Sequence, residues 1–167
     1  MTKLVIYAGT FDPITLGHMD LIERAAEIFP RLILAMAVDT PKATLFTIEE
    51  RIAMGREVVR GLPGTVDVMP FRGLLIDFAR SQEASVLMRG LRAYSDFEYE
   101  FQMALTNRKM APEVETLFMM PKETHSYVSS STVKKIARLG GDPSDFVPAP
   151  VRDALAAKFA GGAEGAS

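Results

Sequence analysis

Hydrophobic and polar residues follow two different periods along this chain. Short runs such as "KLVIYA" and "RLILAMAV" are apolar nearly throughout, which is typical of strands covered on both faces. Longer segments place apolar residues three or four positions apart, as Met19, Ile22 and Ala26 show, and this spacing predicts helices. The pattern predicts strands over residues 3–8, 31–38, 65–69, 85–90 and 114–120, and helices over 17–29, 47–61, 73–82, 95–110, 129–140 and 148–160.

Local signals mark several helix ends. Thr47 followed by Glu50, and Ser95 followed by Glu98, have the spacing of capping boxes, in which each side chain bonds the other residue's backbone N–H. Gly140–Gly141 predicts the end of the fifth helix, because glycine readily adopts the left-handed conformation that closes a helix.

The alternation of strands and helices predicts the fold. Strands that alternate with helices are joined by right-handed crossovers, which gives an α/β domain with a five-stranded parallel sheet and helices on both faces. A chain of 167 residues is most simply one domain, which we place over residues 1–160. The tail 161–167 is small and polar, and we expect it to be disordered.

The composition of the chain excludes several kinds of catalytic site, metal site and partner. The chain has no cysteine, which excludes disulfides, cysteine nucleophiles and cysteine-based zinc sites, and its two histidines are not close in sequence. A net charge of −2 argues against broad binding to nucleic acid. The N-terminus does not resemble a signal peptide, and "LILAMAV" is too short to span a bilayer. We therefore expect a cytoplasmic protein with neither a nucleic-acid nor a membrane partner.

The segments that follow the strands are basic and rich in hydrogen-bond donors, although the chain as a whole is slightly acidic. They read "GTFDPITLGH", "DTPKATLF", "PFRG", "RGLRAYSDFEYE" and "PKETHSYVSSS". Ligands of open parallel sheets bind at the carboxyl ends of the strands, near the point where the strand order reverses. The contrast in charge predicts an anionic, polyphosphate ligand there.

The first of these segments suits a phosphate. Gly9 permits close backbone approach or a positive φ, and Asp12–Pro13 favours a turn. Gly17 keeps the start of the first helix clear, and the free N–H groups there attract anions. His18 would then place an imidazole beside the phosphate. The alternative is a plain turn with a surface histidine, and this stretch alone does not decide between the two.

Four colinear segments give the sequence a family resemblance: "GTFDPITLGHMD", Lys42 with "FTIEER", "RGLRAYSDFEYEFQMA" and "SYVSSSTVK". The chain resembles the nucleotidyltransferase superfamily that carries a (His/Thr)-x-Gly-His signature. Within that superfamily it resembles the bacterial phosphopantetheine adenylyltransferases, from residue 4 to about 157. Two residues depart from the family pattern: Ala8, where proline is frequent, and His125, where an aromatic residue such as tryptophan is frequent.

The resemblance implies a Rossmann-like fold and a reaction in which ATP and 4′-phosphopantetheine give dephospho-coenzyme A and pyrophosphate. The nucleophile is the substrate's own phosphate, so positioning and fixed positive charge would replace a protein nucleophile. The resemblance also implies Mg²⁺ on the phosphates, feedback by coenzyme A and a homohexamer. Mg²⁺ needs few protein ligands, and we predict none.

Site residues follow from the same resemblance. His18 would stabilise the α-phosphorus, and Thr10 would contact both substrates. The substrate site would contain Thr10, Lys42, Leu75 and Arg89; the ATP site would contain Thr10, Phe11, His18, Gly90, Leu91, Arg92, Glu100, His125, Ser126, Tyr127, Val128, Ser129, Ser130 and Ser131.

Other interpretations of these residues remain open. Lys42 could be a solvated loop lysine, Leu75 a core leucine, Glu100 an ordinary helix charge, and the serine run a helix cap. Another nucleotidyltransferase that acts on nicotinamide mononucleotide or a cytidylyl acceptor is one rival function, which "RGLRAYSDFEYE" argues against. A silent nucleotide-binding module would not need His18, Lys42 and two arginines together. A fragment of an aminoacyl-tRNA synthetase is a further rival. It is disfavoured because this chain is too short for the accessory parts of such an enzyme and its net charge of −2 does not suit tRNA.

Overall fold

The computed structural model describes residues 4–92 and 94–160, and of Tyr94 and Ser95 it describes only the backbone. Every predicted strand and helix is present, and no end is shifted by more than three residues. The strands are β1 (Leu4–Gly9), β2 (Arg31–Ala37), β3 (Thr65–Phe71), β4 (Val86–Gly90) and β5 (Glu115–Met119); the helices are α1 (Leu16–Ile28), α2 (Ile48–Val58), α3 (Leu75–Ser81), α4 (Tyr94–Met110), α5 (Ser130–Arg138) and α6 (Ala149–Ala160), with a short 3₁₀ turn over Glu123–His125. The predicted disordered tail lies outside the described residues.

The five strands form one parallel sheet in the order β3-β2-β1-β4-β5, as predicted for a Rossmann-like α/β fold. The order reverses between β1 and β4, and there the pairing stops at Tyr7 and Met88. By contrast, β1 stays paired with β2 up to Gly9, and β4 with β5 up to Gly90. The last two residues of β1 and β4 therefore separate, and a crevice opens at the carboxyl ends.

The two faces of the sheet bury two separate apolar clusters, because successive strand residues point to opposite sides. Val5 and Tyr7 of β1 belong to the larger cluster, which α1, α2, α5 and α6 cover. Leu4, Ile6 and Ala8 belong to the smaller one, which α3 and the segment 111–114 cover. Helices on both faces explain why β1 and β2 are apolar almost throughout.

Helix ends agree with the local signals wherever these are described. Thr47 and Glu50 form the predicted capping box, with Thr47 N donating to Glu50 Oε2 at 2.8 Å. At the end of α5, Gly140 has a φ of +79° and Gly141 N donates to Ile136 O at 2.9 Å, which is a Schellman-type closure. Helix α4 begins at Tyr94, and the predicted Ser95–Glu98 box involves a side chain outside the described set.

No helix in the described part of the chain is long and apolar enough to cross a membrane.

Candidate functional site

A cleft of about 400 Å³ opens where β1 and β4 separate, and it collects most of the predicted site residues. The cleft is lined by segments that follow β1, β2, β4 and β5, which lie far apart in sequence. Of the predicted residues, those that line it are Thr10, Phe11, His18, Lys42, Arg89, Gly90, Arg92, Glu100, Val128, Ser129, Ser130 and Ser131.

Five predicted residues do not line the cleft: Leu75, Leu91, His125, Ser126 and Tyr127. Leu75 is half-buried and packs on the smaller apolar cluster from the start of α3, which agrees with its alternative interpretation as a core leucine. Tyr127 is 71% exposed, and its ring meets Phe146 edge-on. The predicted roles of these five residues stay predictions.

His18 is held by the cap of α1. Thr15 is the N-cap residue, and its backbone N–H donates to His18 Nδ1 at 3.0 Å. Because Nδ1 accepts this bond, the ring proton of the neutral imidazole lies on Nε2. The cap therefore fixes both the orientation and the tautomer of the ring, and it leaves Nε2–H as the group available to a ligand in the cleft.

The charge state of His18 is also set by its surroundings. Burial, with the positive charge of Arg92 nearby, lowers the pKa of His18 from 6.5 to about 4. The imidazole is therefore neutral at pH 7 when the cleft holds no anion. A bound phosphate would oppose both causes, because a nearby negative charge favours the imidazolium.

Phe11 packs against the ring of His18. Its ring is buried and meets His18 edge-on at 5.1 Å and Tyr7 at 5.2 Å between centroids. Its φ of +49° is a conformation that few non-glycine residues adopt, and it occurs in the turn that carries the predicted phosphate contacts.

The structure corrects the reasons given for two glycines. Gly9 does not have a positive φ; a Cβ there would lie 3.0 Å from the Phe11 ring, so Gly9 makes room for that ring. Gly17 lies inside α1, and a Cβ there would lie 3.1 Å from the carbonyl oxygen of His125. Gly17 therefore allows the loop after β5 to lie directly on the start of α1.

Arg89 fills the gap between β1 and β4. Its Nη1 donates to Ala8 O at 2.6 Å, while Nε and Nη2 donate to the Glu100 carboxylate at 2.8 and 2.6 Å. Glu100 is only 8% exposed. It is therefore not the solvated helix charge of the alternative interpretation but the bidentate partner of Arg89, and its predicted contact with the nucleotide stays a prediction.

Lys42 and Arg92 are exposed cations at the cleft. Lys42 lies in the loop after β2, where Thr40 Oγ1 donates to its carbonyl at 2.8 Å. Arg92 follows β4 and pairs with Asp96 at 3.2 Å. Long exposed side chains of this kind can turn toward an anion at little cost.

The serine run begins α5 at the far wall of the cleft. Ser129 caps the helix by accepting from Thr132 N at 3.1 Å, as its alternative interpretation predicts. Ser130 Oγ donates to Pro13 O at 2.8 Å and so joins α5 to the turn after β1. The N-terminus of α5 faces the cleft with the polarity that an anion prefers.

Sequence reasoning missed three charged residues at this site. Asp12, read only as a turn former, is buried; it accepts from Leu45 N and Phe46 N at 2.9 Å each and from Lys134 Nζ at 2.6 Å. Arg51 is also buried, and its Nη1 donates to Thr10 O and Ala37 O at 2.7 and 2.9 Å. A charge on the buried face of a helix is a signal for both Arg51 and Lys134, whereas Asp12 carries none.

Comparisons with known proteins show the family of this chain. Residues 6–136 match the model of the cytidylyltransferase-like family. The chain is similar to a phosphopantetheine adenylyltransferase of Methylococcus capsulatus, at 54% identity over 96% of this chain and 99% of that one. It is also similar to one of Desulforudis audaxviator, at 52% identity over 98% and 99%.

Solved structures show the fold at low identity. A nicotinic acid mononucleotide adenylyltransferase of Plasmodium falciparum, complexed with NaAD, superposes with a TM-score of 0.70 at 13% identity, covering 95% of this chain and 96% of that one. A lipopolysaccharide core biosynthesis protein of Thermoplasma volcanium gives 0.55 at 16% identity, covering 72% and 98%. These two likenesses concern the fold alone.

The family match covers the whole crevice side of the sheet, and the curated relatives extend it to nearly the full chain. The chain therefore belongs to the cytidylyltransferase-like family and, within it, to the phosphopantetheine adenylyltransferases.

Proposed function

We propose that this protein transfers the adenylyl group of ATP to 4′-phosphopantetheine and releases pyrophosphate. The observation that carries the proposal is the arrangement of His18, Lys42 and Arg89 around one cleft where β1 and β4 separate. Relatives at 50–54% identity that bear the name of this activity support it.

The chemistry suits a site of fixed positive charge. An oxygen of the acceptor phosphate attacks the α-phosphorus of ATP, and the bond from that phosphorus to the oxygen of pyrophosphate breaks. The acceptor phosphate is largely dianionic near pH 7, so no protein base has to remove a proton. The protein must instead bring anions together and stabilise the charge on the transferred phosphorus and the leaving group.

His18 is the proposed catalytic residue. Its Nε2–H points away from the cap and can donate to an oxygen of the α-phosphate. The attack places additional negative charge on these oxygens, so the bond would strengthen in the transition state. Thr10, exposed at the end of β1 beside His18, would contact both phosphates.

The remaining contacts divide between the two substrates. Lys42 and Arg89 would hold the phosphate of 4′-phosphopantetheine, with Leu75 against the pantetheine arm. Arg89 keeps N–H groups on Nη1 and Nη2 beyond its bonds to Glu100 and Ala8. Arg92 and the segment Ser129–Ser131 would contact the ATP phosphates, and residues 125–128 would lie near the nucleoside.

Mg²⁺ is part of the proposal as a companion of the ATP phosphates. Among the described residues no three His, Asp or Glu side chains are grouped so that they could hold a metal ion. The acidic side chains of the cleft, Asp12, Asp96 and Glu100, are all engaged by cations. This fits an ion that phosphate and water oxygens hold, and bound there it would neutralise phosphate charge.

Pyrophosphate release tests the proposal. ATP should be turned over with 4′-phosphopantetheine and not with pantetheine, because pantetheine lacks the phosphate that attacks. Nicotinamide mononucleotide is the control for another acceptor on the same fold. Turnover of that nucleotide at a comparable rate would contradict the assignment.

Coenzyme A is the proposed feedback inhibitor, because it carries the pantetheine arm of one proposed substrate and an adenylate like that of the other. It should compete with 4′-phosphopantetheine in steady-state kinetics. Titration calorimetry that detects no binding at millimolar coenzyme A would refute this part. We also propose that the reaction takes place in the cytoplasm, as the sequence predicts.

A homohexamer is the proposed assembly. Large apolar side chains are exposed along α4 and around β5; they are Phe97, Tyr99, Phe101, Met103, Leu105, Met110, Leu117 and Met120. Large exposed apolar side chains in such number mark contact sites between proteins. We name this surface the α4 face.

A further inference from the structure

Asp20 is a buried carboxylate that the proposed chemistry does not use. It lies on α1, two residues after His18, and is 5% exposed. A carboxylate in such a position needs partners, because a buried charge without them is costly. The partners of Asp20 come from its own helix and from the loop after β5, which we call the nucleotide loop (residues 120–129).

Two side chains of α1 form hydrogen bonds with the backbone of this loop. Asp20 Oδ2 accepts from Lys122 N at 3.0 Å. Arg24 Nη1 donates to Asp20 Oδ2 at 3.2 Å and also to Met120 O at 2.8 Å. The Lys122 ammonium lies 3.5 Å from Asp20 Oδ1. Together these contacts tie residues 120 and 122 to α1 across about a hundred positions of sequence.

The charge of Asp20 is stable in this setting. Burial by itself raises its pKa, but the hydrogen bonds from Lys122 N and Arg24, together with the charge of Arg24, hold the pKa below its usual value. The carboxylate therefore stays ionised at neutral pH, and its bond to Lys122 N is charge-assisted and strong.

The nucleotide loop has little regular structure of its own. Apart from the short 3₁₀ turn over Glu123–His125, its described backbone bonds are short-range: His125 N to Lys122 O, Ser126 N to Glu123 O and Val128 N to His125 O. These bonds shape the loop but do not fix its place on the protein. The contact of its His125 carbonyl with Gly17 places the loop over the start of α1, where His18 sits.

We propose that Asp20, with Arg24, is a positioning residue that fixes the nucleotide loop over His18 and thereby sets the affinity for ATP. One helix would then hold the imidazole on one side and the loop on another. The inference rests on the proposed function for the identity of the nucleotide. It predicts that loss of Asp20 weakens ATP binding and leaves the chemical step and the acceptor phosphate contacts in place.

Steady-state kinetics can test whether Asp20 affects ATP binding alone, provided that the concentrations of both substrates are varied. Asp20→Asn should raise the KM for ATP about tenfold or more, as expected from the loss of one charge-assisted hydrogen bond. The kcat and the KM for 4′-phosphopantetheine should change less than about threefold. Glu27→Gln is the matched control, because Glu27 is an exposed acid on the same helix. It should leave all three constants unchanged.

Arg24→Met gives a second route, because the Arg24 side chain is 42% exposed and its loss does not threaten folding. It should raise the KM for ATP in the same direction, by less than Asp20→Asn. An unchanged KM for ATP in both variants, or equal losses in kcat and in both KM values, would overturn the proposal.

Hydrogen exchange tests the anchoring of the nucleotide loop by Asp20 independently of the proposed reaction. In Asp20→Asn, the amides of residues 120–128 should exchange faster than in the parent protein, while those of residues 38–46 should not. This readout needs no turnover. If the parent protein showed no transferase activity but the loop still lost protection selectively, the proposed function would fail and the anchoring role of Asp20 would stand. Uniform exchange across both loops would overturn the anchoring role.

Discussion

His18, the proposed catalytic residue, shows how a few neighbours set the orientation and the charge of one side chain. The N-cap of α1 fixes its tautomer through the Thr15 N–H, Phe11 packs against its ring, and burial keeps it neutral. The cap and the Phe11 contact are local to "GTFDPITLGH", the stretch that carries the family signature, whereas the burial and the nearby charge of Arg92 come from the packed cleft. The residue scale therefore explains why a histidine at this position can donate a hydrogen bond to a phosphate at neutral pH.

Replacing His18 by alanine should lower kcat by about two to four orders of magnitude, because the donor acts mainly in the transition state. The KM for ATP should change less than about tenfold, since other contacts hold the ground state. Loss of the capping contact should cost about 1 kcal/mol of stability. Steady-state kinetics and thermal unfolding measure these effects.

Thr47→Ala is the control for the stability loss, because it removes the cap of α2, away from the cleft, and leaves His18 in place. That variant should lose similar stability and keep its kcat. If His18→Ala retained a kcat near that of the parent protein, the turn would have no catalytic role.

The pH dependence of His18 provides a separate test. The chain has two histidines, so proton NMR resolves both imidazoles and a His18→Ala spectrum assigns them. His18 should titrate at about 4 in the free protein. Its folded pKa lies below the unfolded value of about 6.5, so its contribution to stability is complete above pH 6.5 and is lost as the pH falls toward 4. ATP should raise this pKa, because the phosphates favour the imidazolium. A free-protein pKa near 6.5 would contradict the burial of the ring.

At the scale of elements, one arginine joins β1, β4 and α4. Arg89 bridges the point where β1 and β4 separate, and Glu100 of α4 holds its guanidinium from the other side. Both side chains are largely buried, which makes them interdependent. An arginine at this place can serve the sheet and the substrate at the same time.

Arg89→Ala should therefore have two effects. The KM for 4′-phosphopantetheine should rise, and the protein should lose about 3 kcal/mol of stability because Glu100 is left buried without its partner. The double variant Arg89→Ala/Glu100→Ala should recover part of the stability and none of the substrate affinity. Urea unfolding measures the stability, and steady-state kinetics measure the substrate affinity, of the parent protein, the single variant and the double variant. Recovery of both properties in the double variant would mean that Arg89 acts only on the sheet.

On the scale of the whole molecule, the α4 face is more apolar than the surface of a monomer requires. Tyr99 is 62% exposed, Phe101 46% and Met120 72%. Such a surface favours association between copies of the chain, since burying it removes apolar area from water. The described residues thus favour association between copies of the chain, while the number six rests on the family resemblance alone.

Sedimentation equilibrium should therefore give a mass of about six chains, the number that the family resemblance implies. Tyr99→Glu/Phe101→Glu should dissociate the assembly, because each substitution would bury a charge in the interface. Leu139→Glu is the control, since Leu139 is 76% exposed and lies at the end of α5, outside the α4 face. A monomeric parent protein at micromolar concentration would contradict the proposal.

Hydrophobic periodicity and local motifs were sufficient for much of this protein. They determined the five strands, the six helices, the parallel sheet and the cap of α2, because each depends on residues close in sequence. The basic segments after the strands located the cleft, since strands of a parallel sheet bring their carboxyl ends to one edge. His18 lies in a motif of neighbouring residues that left its role open, and the family resemblance supplied the predicted role.

Only the tertiary structure decided which charges meet. Glu100 looked like a solvated helix charge, and its pairing with Arg89 depends on how α4 packs beside β4. Asp12 looked like a turn former, yet it holds the amides of Leu45 and Phe46 and the ammonium of Lys134. These partners are 11 to 122 positions apart. No sequence period links residues at such separations, because the fold brings them together through the packing of separate elements.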